Sequence, residues 1–394
     1  MKTLIALLCF SLVPVLSLAQ EIRTWYDPAT RLHPREIFDA TVIDGDTLKT
    51  GNYRIYYEDG TLWQDGQFSD NQLTGLWKDF YPDGTLKQEL NYSGGKLNGM
   101  LKYWLPDGSL FQEAMFRDDR LNGRVCHYYP DGQLSEEASY LNGQPHGLVR
   151  TWYENHTLRF ERNYRNGIPD GEQVFYYDNG KIAERSVMNQ GKYNGPFLSY
   201  YKEFEDGAVQ TSCSYVNGRI EGMLYGYYPS GSLKLTCPYR DNLSEGSCTK
   251  YFDSGSSDIS PVIMEKGNYR SGSKAGTWKS YYPGGALYTR GKYVNGRFSG
   301  KWTIYHPNGK VKQKGSYVNG LAEGIFRTYY EDGHLKNKGE YVNDQKEGIW
   351  DTYYPSGPVM TRITFENGVR SGKAEAWDED GNLVETIDYD KENE

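Results

Sequence analysis

The sequence predicts an all-β protein, an elongated and twisted single-sheet meander of about fourteen β-hairpin repeats of 24 residues. Three observations lead to this prediction. A glycine that closes a turn recurs at steps of 24 residues, an aromatic residue precedes each of these turns, and asparagine-glycine dipeptides mark a second turn between them. No long segment of the mature chain shows the 3.6-residue periodicity of an amphipathic helix.

The first 19 residues are expected to form a signal peptide. Lys2 is followed by the apolar run Leu4–Leu18, and the small residue Ala19 precedes the expected cleavage point before Gln20. The alternative is a membrane anchor, but the run is shorter than the roughly 20 apolar residues that span a bilayer. No later segment is long and apolar enough for a transmembrane helix, so we expect an exported protein in the periplasm, at the cell surface or in the medium.

The rest of the chain divides by how well it follows the repeat. Residues 20–50 match it poorly and are interpreted as an N-terminal cap or a degenerate repeat. Residues 51–389 form the tandem array, and residues 390–394 form an acidic tail.

The first turn of each repeat ends in glycine, often within a Pro-Asp-Gly sequence. Proline sets φ near −65° and glycine accepts the positive φ that closes the turn. Clear examples of this glycine are Gly84, Gly132, Gly309 and Gly333. Together with the asparagine-glycine turns, they leave two strand segments per repeat, or about 28 strands in fourteen repeats.

An aromatic residue lies five positions after a second glycine in all fourteen repeats. These repeat-defining residues include Tyr56, Phe80, Tyr128, Trp152, Tyr176, Tyr281, Tyr329 and Tyr353. In strands such as the one containing Trp278, the tryptophan two residues after the glycine falls on one face and this aromatic residue on the other. Equivalent residues of successive repeats should therefore form aromatic rows on both faces.

These residues resemble the MORN-repeat variant family, and in particular its bacterial YwqK-type members. The segments that fit most closely are GTWKSYYPGGALYTRGKYVNG at 276–296 and GKWTIYHPNGKVKQKGSYVNG at 300–320. The resemblance implies a β-hairpin repeat scaffold associated with membrane and protein attachment, not with catalysis. Proteins of this type are often labelled as the antitoxin component of a toxin–antitoxin system.

The composition and motifs argue against several function classes. A net charge of −8, spread along the chain, is unfavourable for binding nucleic acid or anionic lipid. The sequence contains no phosphate-binding loop, nucleophile elbow or paired histidine motif. We therefore expect no enzyme activity, no cofactor and no metal ion.

Two insertions interrupt the 24-residue spacing and are the most individual features of the array. Insertions in repeat proteins often mark a binding face, although drift in a permissive loop would also produce them. Both should emerge on the same edge of the sheet. We name this candidate binding surface the insert edge, and it comprises Glu203, Phe204, Glu205, Ser256, Ser257, Asp258 and Ile259.

Four cysteines remain after removal of the leader. Cys237 and Cys248 flank one turn between repeats and can face each other, so they are the candidate disulfide. Cys126 and Cys213 complete the set, and buried free thiols are the alternative for all four.

The sequence leaves three hypotheses for function. The first is a non-catalytic exported scaffold that binds a protein partner at the bacterial envelope. The second is the antitoxin role, which requires a cytoplasmic partner. The third is a carbohydrate- or cell-wall-binding array in which exposed tyrosine and tryptophan rings stack on a glycan.

Overall fold

The computed structural model describes residues 19–43, 45–204 and 207–390. The predicted leader up to residue 18, the tail residues 391–394 and Glu205 of the insert edge lie outside this description. The described residues form strands and turns with no helix, and accordingly no helix among them could cross a membrane. The prediction of an all-β protein is confirmed.

The chain divides after Gly180 into two units. The strands of the first unit are β1 Gln20–Trp25, β2 Pro34–Ile43, β3 Asp46–Tyr56, β4 Leu62–Ser69, β5 Gln72–Phe80, β6 Leu86–Ser93, β7 Lys96–Leu97, β8 Gly99–Trp104, β9 Leu110–Arg117, β10 Arg120–Tyr128, β11 Leu134–Leu141, β12 Gln144–Trp152, β13 Leu158–Arg165 and β14 Ile168–Tyr176.

The strands of the second unit continue the series. They are β15 Ile182–Asn189, β16 Lys192–Tyr200, β17 Val209–Val216, β18 Arg219–Ile220, β19 Gly222–Tyr227, β20 Leu233–Arg240, β21 Leu243–Ser244, β22 Gly246–Tyr251, β23 Ile263–Arg270, β24 Ser273–Tyr281, β25 Leu287–Val294, β26 Arg297–Tyr305, β27 Val311–Val318, β28 Leu321–Tyr329, β29 Leu335–Val342, β30 Gln345–Tyr353, β31 Val359–Glu366, β32 Val369–Trp377 and β33 Leu383–Asp388.

Within each unit, strands that follow one another in sequence pair antiparallel, so each unit is a meander. In the second unit, β24 pairs with β25, β25 with β26 and β26 with β27. The pairing shifts by one residue at the repeat-defining aromatic position, as between Ser280 and Tyr281. This recurring bulge increases the local twist of the strand as it enters the turn.

The described residues form 33 strands, where the repeat predicted about 28. Two of the additional strands, β1 and β2, lie in residues 20–50, and β3 begins within that segment at Asp46. These residues therefore continue the meander, with β1 paired to β2 and β2 paired to β3. The other three additional strands arise because a repeat strand is interrupted at Asn98, Glu221 or Glu245, each next to a glycine with positive φ.

The two kinds of turn have the local chemistry that their sequences predict. In the first kind, the Tyr57 amide donates to the Thr61 carbonyl at 2.8 Å and the Gly60 amide donates to the Tyr57 carbonyl at 2.9 Å. In the second kind, Asn295 and Gly296 have φ of 50° and 78°. Positive φ at both central residues is the type I′ geometry, which matches the twist of a two-residue hairpin.

The core is a row of side chains along one face of the strands. Its recurring element is a glycine beside an aromatic ring on the next strand. A β-carbon added to this glycine would lie 2.0–2.4 Å from the ring, so only glycine fits. The pairs are Gly66–Trp77 in the first unit and Gly267–Trp278, Gly291–Trp302, Gly315–Phe326 and Gly339–Trp350 in the second.

At two places in this row, alanine stands in place of the glycine, and the residue beside it on the next strand is valine in place of the aromatic ring. In the first unit, Ala114 precedes Val125 and Ala138 precedes Val149 at the same 11-residue separation, and all four are buried. The two members of each pair thus vary together in size, which keeps the space between adjacent strands filled.

The opposite face carries ion pairs between neighbouring strands. In the first unit, Lys78 pairs with Glu89 at 3.3 Å and Lys102 pairs with Glu113 at 3.1 Å. Tyr128, a repeat-defining aromatic residue, donates its hydroxyl to Glu113 at 2.8 Å on this face. The predicted separation of the tryptophan and the tyrosine onto different faces is therefore what the structure shows.

At nine junctions among the described residues, a tyrosine hydroxyl links one repeat to the next. The residue after the repeat-defining aromatic donates to the main-chain carbonyl of the equivalent aromatic in the following repeat. In the first unit Tyr57, Tyr81, Tyr129 and Tyr153 donate to Phe80, Trp104, Trp152 and Tyr176. In the second unit Tyr201, Tyr228, Tyr282, Tyr330 and Tyr354 donate to Tyr227, Tyr251, Tyr305, Tyr353 and Trp377. The repeat-defining aromatics thus serve as structural acceptors.

Candidate functional site

The first insertion of the insert edge forms an enlarged turn between β16 and β17 in the second unit. The Phe204 ring is 41% exposed and packs edge-on against Tyr201, with ring centroids 5.9 Å apart. The Phe204 carbonyl accepts a hydrogen bond from Lys181 Nζ at 2.9 Å. Glu203 is exposed beside it.

The second insertion lies between β22 and β23 of the same unit and is held by its own serines. Ser254 Oγ donates to the Ser256 carbonyl at 3.0 Å, and the Asp258 amide donates to Ser256 Oγ at 3.2 Å. Ser257, Asp258 and Ile259 are exposed, with Ile259 at 55%.

A carboxylate contact, which the sequence analysis missed, connects this insertion to the ordinary turn before it. Asp253 Oδ1 accepts hydrogen bonds from Ser230 Oγ at 2.6 Å and from Ser232 Oγ at 2.9 Å. The Ser230 hydroxyl, and after it the Gly255 amide, lower the pKa of Asp253. The signal in the sequence was Ser230, which stands where most repeats have aspartate or asparagine, together with Ser232 two residues later.

The tyrosine hydroxyl bonds place the two insertions on one edge. The Tyr201 hydroxyl donates to the Tyr227 carbonyl, and the Tyr228 hydroxyl donates to the Tyr251 carbonyl. The turns of these three consecutive repeats are therefore neighbours along one edge of the sheet. The insert edge therefore presents the exposed apolar side chains Phe204 and Ile259, with the acidic residues Glu203 and Asp258, on two turns separated by the turn of one intervening repeat.

The structure joins Cys237 and Cys248 in a disulfide between β20 and β22, with their Cα atoms 4.2 Å apart. Cys126 and Cys213 are buried free thiols. Burial raises the pKa of both thiols, so they are poor nucleophiles at neutral pH.

The part of the chain that the structure describes contains no group of three or more His, Cys, Asp or Glu side chains placed to hold a metal ion. The carboxylates of the Pro-Asp-Gly turns are used locally, as where Asp83 accepts from the Thr85 amide at 2.9 Å and from the Thr85 hydroxyl at 2.7 Å. These bonds lower the pKa of Asp83. The recurring aspartates therefore serve the turns.

A second surface, the aliphatic strip, was missed by the sequence analysis. It lies in the second unit on the face opposite the tryptophans. Its six residues are 38–55% exposed, namely Val294, Val318, Leu321, Ile325, Val342 and Ile349.

The repeat explains how the strip is assembled. The three valines each precede a type I′ turn and recur at 24-residue steps, so they occupy the same height on β25, β27 and β29. Val318 faces Leu321 directly across the turn. The signal for this surface in the sequence was the repeated Tyr-Val-Asn-Gly motif. Its valine occupies a position where a solvent-facing polar residue would be expected.

Comparison with known proteins identifies the repeat. The MORN repeat variant matches the chain eight times, at residues 49–70, 73–93, 121–142, 145–166, 169–189, 274–295, 298–319 and 322–343. Comparison with curated proteins gives no match.

Solved structures with a likeness to this chain are much longer toxin complexes. The crystal structure of TcdB2-TccC3-Cdc42 is 10% identical over 91% of this chain and 24% of that chain, with a TM-score of 0.17. The structure of a Photorhabdus luminescens Tc holotoxin pore is 11% identical over 94% of this chain and 23% of that chain, with a TM-score of 0.15. The chain spans about a quarter of their length, and likenesses this weak imply nothing about its fold or function.

Proposed function

This chain is built from repeats of the MORN repeat variant family, and from that premise we propose that it is a non-catalytic scaffold that binds a protein partner at the bacterial envelope. The observation that carries the proposal is the aliphatic strip. Six exposed aliphatic side chains on neighbouring strands form an apolar surface that is unfavourable in water. A protein partner that covers the strip would remove this cost.

The charged surroundings of the strip favour a specific partner over unspecific association. Ile325 lies opposite Glu340, and Glu340 in turn lies opposite Glu347 on the next strand. Glu340 therefore lies on β29, between the strands that carry Ile325 and Ile349, so acidic side chains stand among the aliphatic ones. Acidic residues at these positions disfavour partners that carry negative charge there.

Two further features support export. The leader-like residues 1–19 have the charge and apolar pattern of a signal peptide. The second feature is the Cys237–Cys248 disulfide. Disulfides persist in oxidising compartments and are rare in the cytosol.

The strip can be tested by site-specific photo-crosslinking in the native cell. A photoreactive residue replaces Ile325, and in a matched variant it replaces Thr277, the exposed residue at the same repeat position. We expect a discrete protein adduct from position 325 and none from position 277. The adduct should disappear when Val318 and Leu321 are both changed to serine.

The same tagged protein tests export. Fractionation followed by N-terminal sequencing should find a mature form that begins at Gln20 in the envelope or medium. An uncleaved form in the cytoplasm would contradict export, and equal adducts from positions 325 and 277 would contradict the strip as the binding surface.

A further inference from the structure

A depression lined by aromatic rings lies on the core face of the first unit, far in sequence from the aliphatic strip. We name it the Trp77 depression. Its volume is about 390 Å³, and Tyr53, Phe68, Trp77 and Tyr92 all line it. The ring centroids of Phe68 and Trp77 are 5.3 Å apart at a near-perpendicular angle, and those of Trp77 and Tyr92 are 6.2 Å apart.

A carboxylate also lines this depression. Asp79 is 8% exposed, and its two oxygens accept hydrogen bonds from the side-chain amides of Gln64 and Gln88. Both donors are neutral, and a carboxylate offers about four lone-pair directions. Among the described residues, no lysine, arginine or histidine forms an ion pair with Asp79.

The second unit contains the equivalent site with its cations in place. Trp278 stands where Trp77 does, and Lys274 Nζ lies 3.9 Å from its ring centroid. The same ammonium donates to Glu265 at 2.9 Å, and Lys250 bonds to the other oxygen of Glu265 at 2.8 Å.

The register shows that the two carboxylates belong to equivalent cross-strand pairs, at opposite members of the pair. Glu265 faces Ser280 across β23 and β24, and Gln64 faces Asp79 across β4 and β5. Each of these matching cross-strand pairs contains one carboxylate, supplied from opposite strands. The chain thus builds the same ring-and-carboxylate arrangement twice.

The two lysine positions differ. Lys274 lies four residues before Trp278 and corresponds to Leu73, four residues before Trp77. Lys250 lies four residues after the repeat glycine Gly246 and corresponds to Ile55, four residues after Gly51. Leu73 lines the Trp77 depression. The first unit therefore keeps the rings and the carboxylate but supplies neither cation.

We propose that the Trp77 depression binds an alkylammonium group of a ligand, which takes the place that Lys274 occupies beside Trp278. An ammonium gains from aromatic faces and from a hydrogen-bonded carboxylate together, and burial strengthens both interactions. The ammonium would also neutralise Asp79, whose burial without a counter-ion is unfavourable. The proposal is independent of the aliphatic strip.

One cation of the chain lies on one side of the depression. Lys49 lies over Tyr53 at 4.5 Å and Phe68 at 5.4 Å, but it is on β3 and 3.9 Å from Glu36, so the ligand would bind on the side of Trp77 and Tyr92. Burial and then the negative charge of Asp79 raise the pKa of Tyr92, as expected beside an unpaired carboxylate.

The test uses the full chain and isothermal titration with pentylammonium, with 1-pentanol as the uncharged control of equal length. We expect saturable binding of pentylammonium and at least about tenfold weaker binding of 1-pentanol, since charge-assisted contacts dominate. Asp79→Asn should weaken binding of pentylammonium by about tenfold or more while keeping the side-chain volume.

Leu73→Lys provides a second, independent variant. It restores the residue found at the Trp278 site, so its own ammonium should occupy the depression and abolish binding. Leu73→Met is the matched apolar control and should bind as the native chain does. Equal binding of pentylammonium and 1-pentanol, or unchanged binding by a folded Asp79→Asn protein, would overturn the proposal.

The source of the ammonium is settled by a further titration. Nα-acetyl-lysine methylamide carries the same alkylammonium with peptide groups attached. Tighter binding of this compound than of pentylammonium indicates a lysine of a protein partner, and weaker binding indicates a small free amine.

Discussion

The indole ring of Trp302 lies against the backbone of Gly291 on the adjacent strand, so closely that a β-carbon on residue 291 would fall 2.0 Å from the ring. The indole Nε1 also donates to the carbonyl of Lys292 at 3.1 Å. The φ of Gly291 is not positive, so the glycine is required for space and not for backbone conformation. This pair is the repeating unit of the core in the second unit.

Gly291→Ala should destabilise the protein because its methyl group cannot fit beside the Trp302 ring without displacing it. We expect a loss of about 1–3 kcal/mol in the free energy of unfolding, the usual cost of overpacking. Gly284→Ala is the control, since no atom lies within 4 Å of its added β-carbon, and it should be nearly neutral. Urea denaturation of both variants measures the difference, and equal midpoints would contradict the packing argument.

The size of the two partners should be energetically coupled. Gly291→Ala combined with Trp302→Val recreates the alanine-valine pairing of Ala138 and Val149. We expect the alanine to cost less in the valine background than in the native one, with a coupling energy of about 1 kcal/mol or more. A double-mutant cycle measures it, and additive losses would show that the two residues vary independently.

Tyr330→Phe should weaken the link between two repeats. The hydroxyl donates to the Tyr353 carbonyl at 2.8 Å, and its removal should cost about 0.5–1.5 kcal/mol in the free energy of unfolding. Tyr288→Phe removes a hydroxyl that makes no hydrogen bond with the described residues, and it should change stability little. Similar losses from both variants would argue that the hydroxyl bond contributes nothing.

The cysteines should differ in reactivity. Mass spectrometry of the non-reduced protein should recover Cys237 and Cys248 in one linked peptide. Cys126 and Cys213 are buried with raised thiol pKa, so a thiol reagent at pH 8 should label them only after unfolding. Rapid labelling of either thiol in the native protein would contradict its placement in the core.

The buried tyrosines should make the fold sensitive to alkali. Burial, and after it the charge of Glu36, raises the pKa of Tyr53 to about 12, above the value near 10 of an unfolded chain. The folded state therefore favours the neutral phenol, a contribution fully present below about pH 10 and lost as the pH rises through about 12. Urea midpoints should fall across this range, less steeply in Tyr53→Phe, and a flat profile would contradict the shift.

Much of the fold could be predicted because its signals are local. The dipeptide Asn295-Gly296 specifies a type I′ turn through the φ preferences of two residues alone, and the aromatic residue at Tyr281 marks the end of a strand. Residues 20–50 do not repeat these signals, and for that reason β1 and β2 were missed. The pairing of β1 with β2 and of β2 with β3 depends on the neighbouring strand, which a local pattern does not describe.

The candidate surfaces were less predictable because they depend on comparing repeats in space. The insert edge follows from spacing, so its residues could be named. The aliphatic strip requires knowing that Val318 and Leu321 face solvent on the same side. The lack of a counter-ion at Asp79 becomes apparent only when the register aligns its site with that of Glu265. That comparison shows Leu73 at the position where the other repeat has a lysine.

The tyrosine hydroxyl bonds have a consequence for how such a chain can change in length. Tyr354 donates to the Trp377 carbonyl of the next repeat, and Tyr353 of the same repeat accepts from Tyr330 of the repeat before. Every repeat of this kind brings one donor and one acceptor, so a duplication or deletion of 24 residues leaves no bond without a partner. Recombination within the gene could thus lengthen or shorten the array in whole-repeat steps while each remaining junction stays intact.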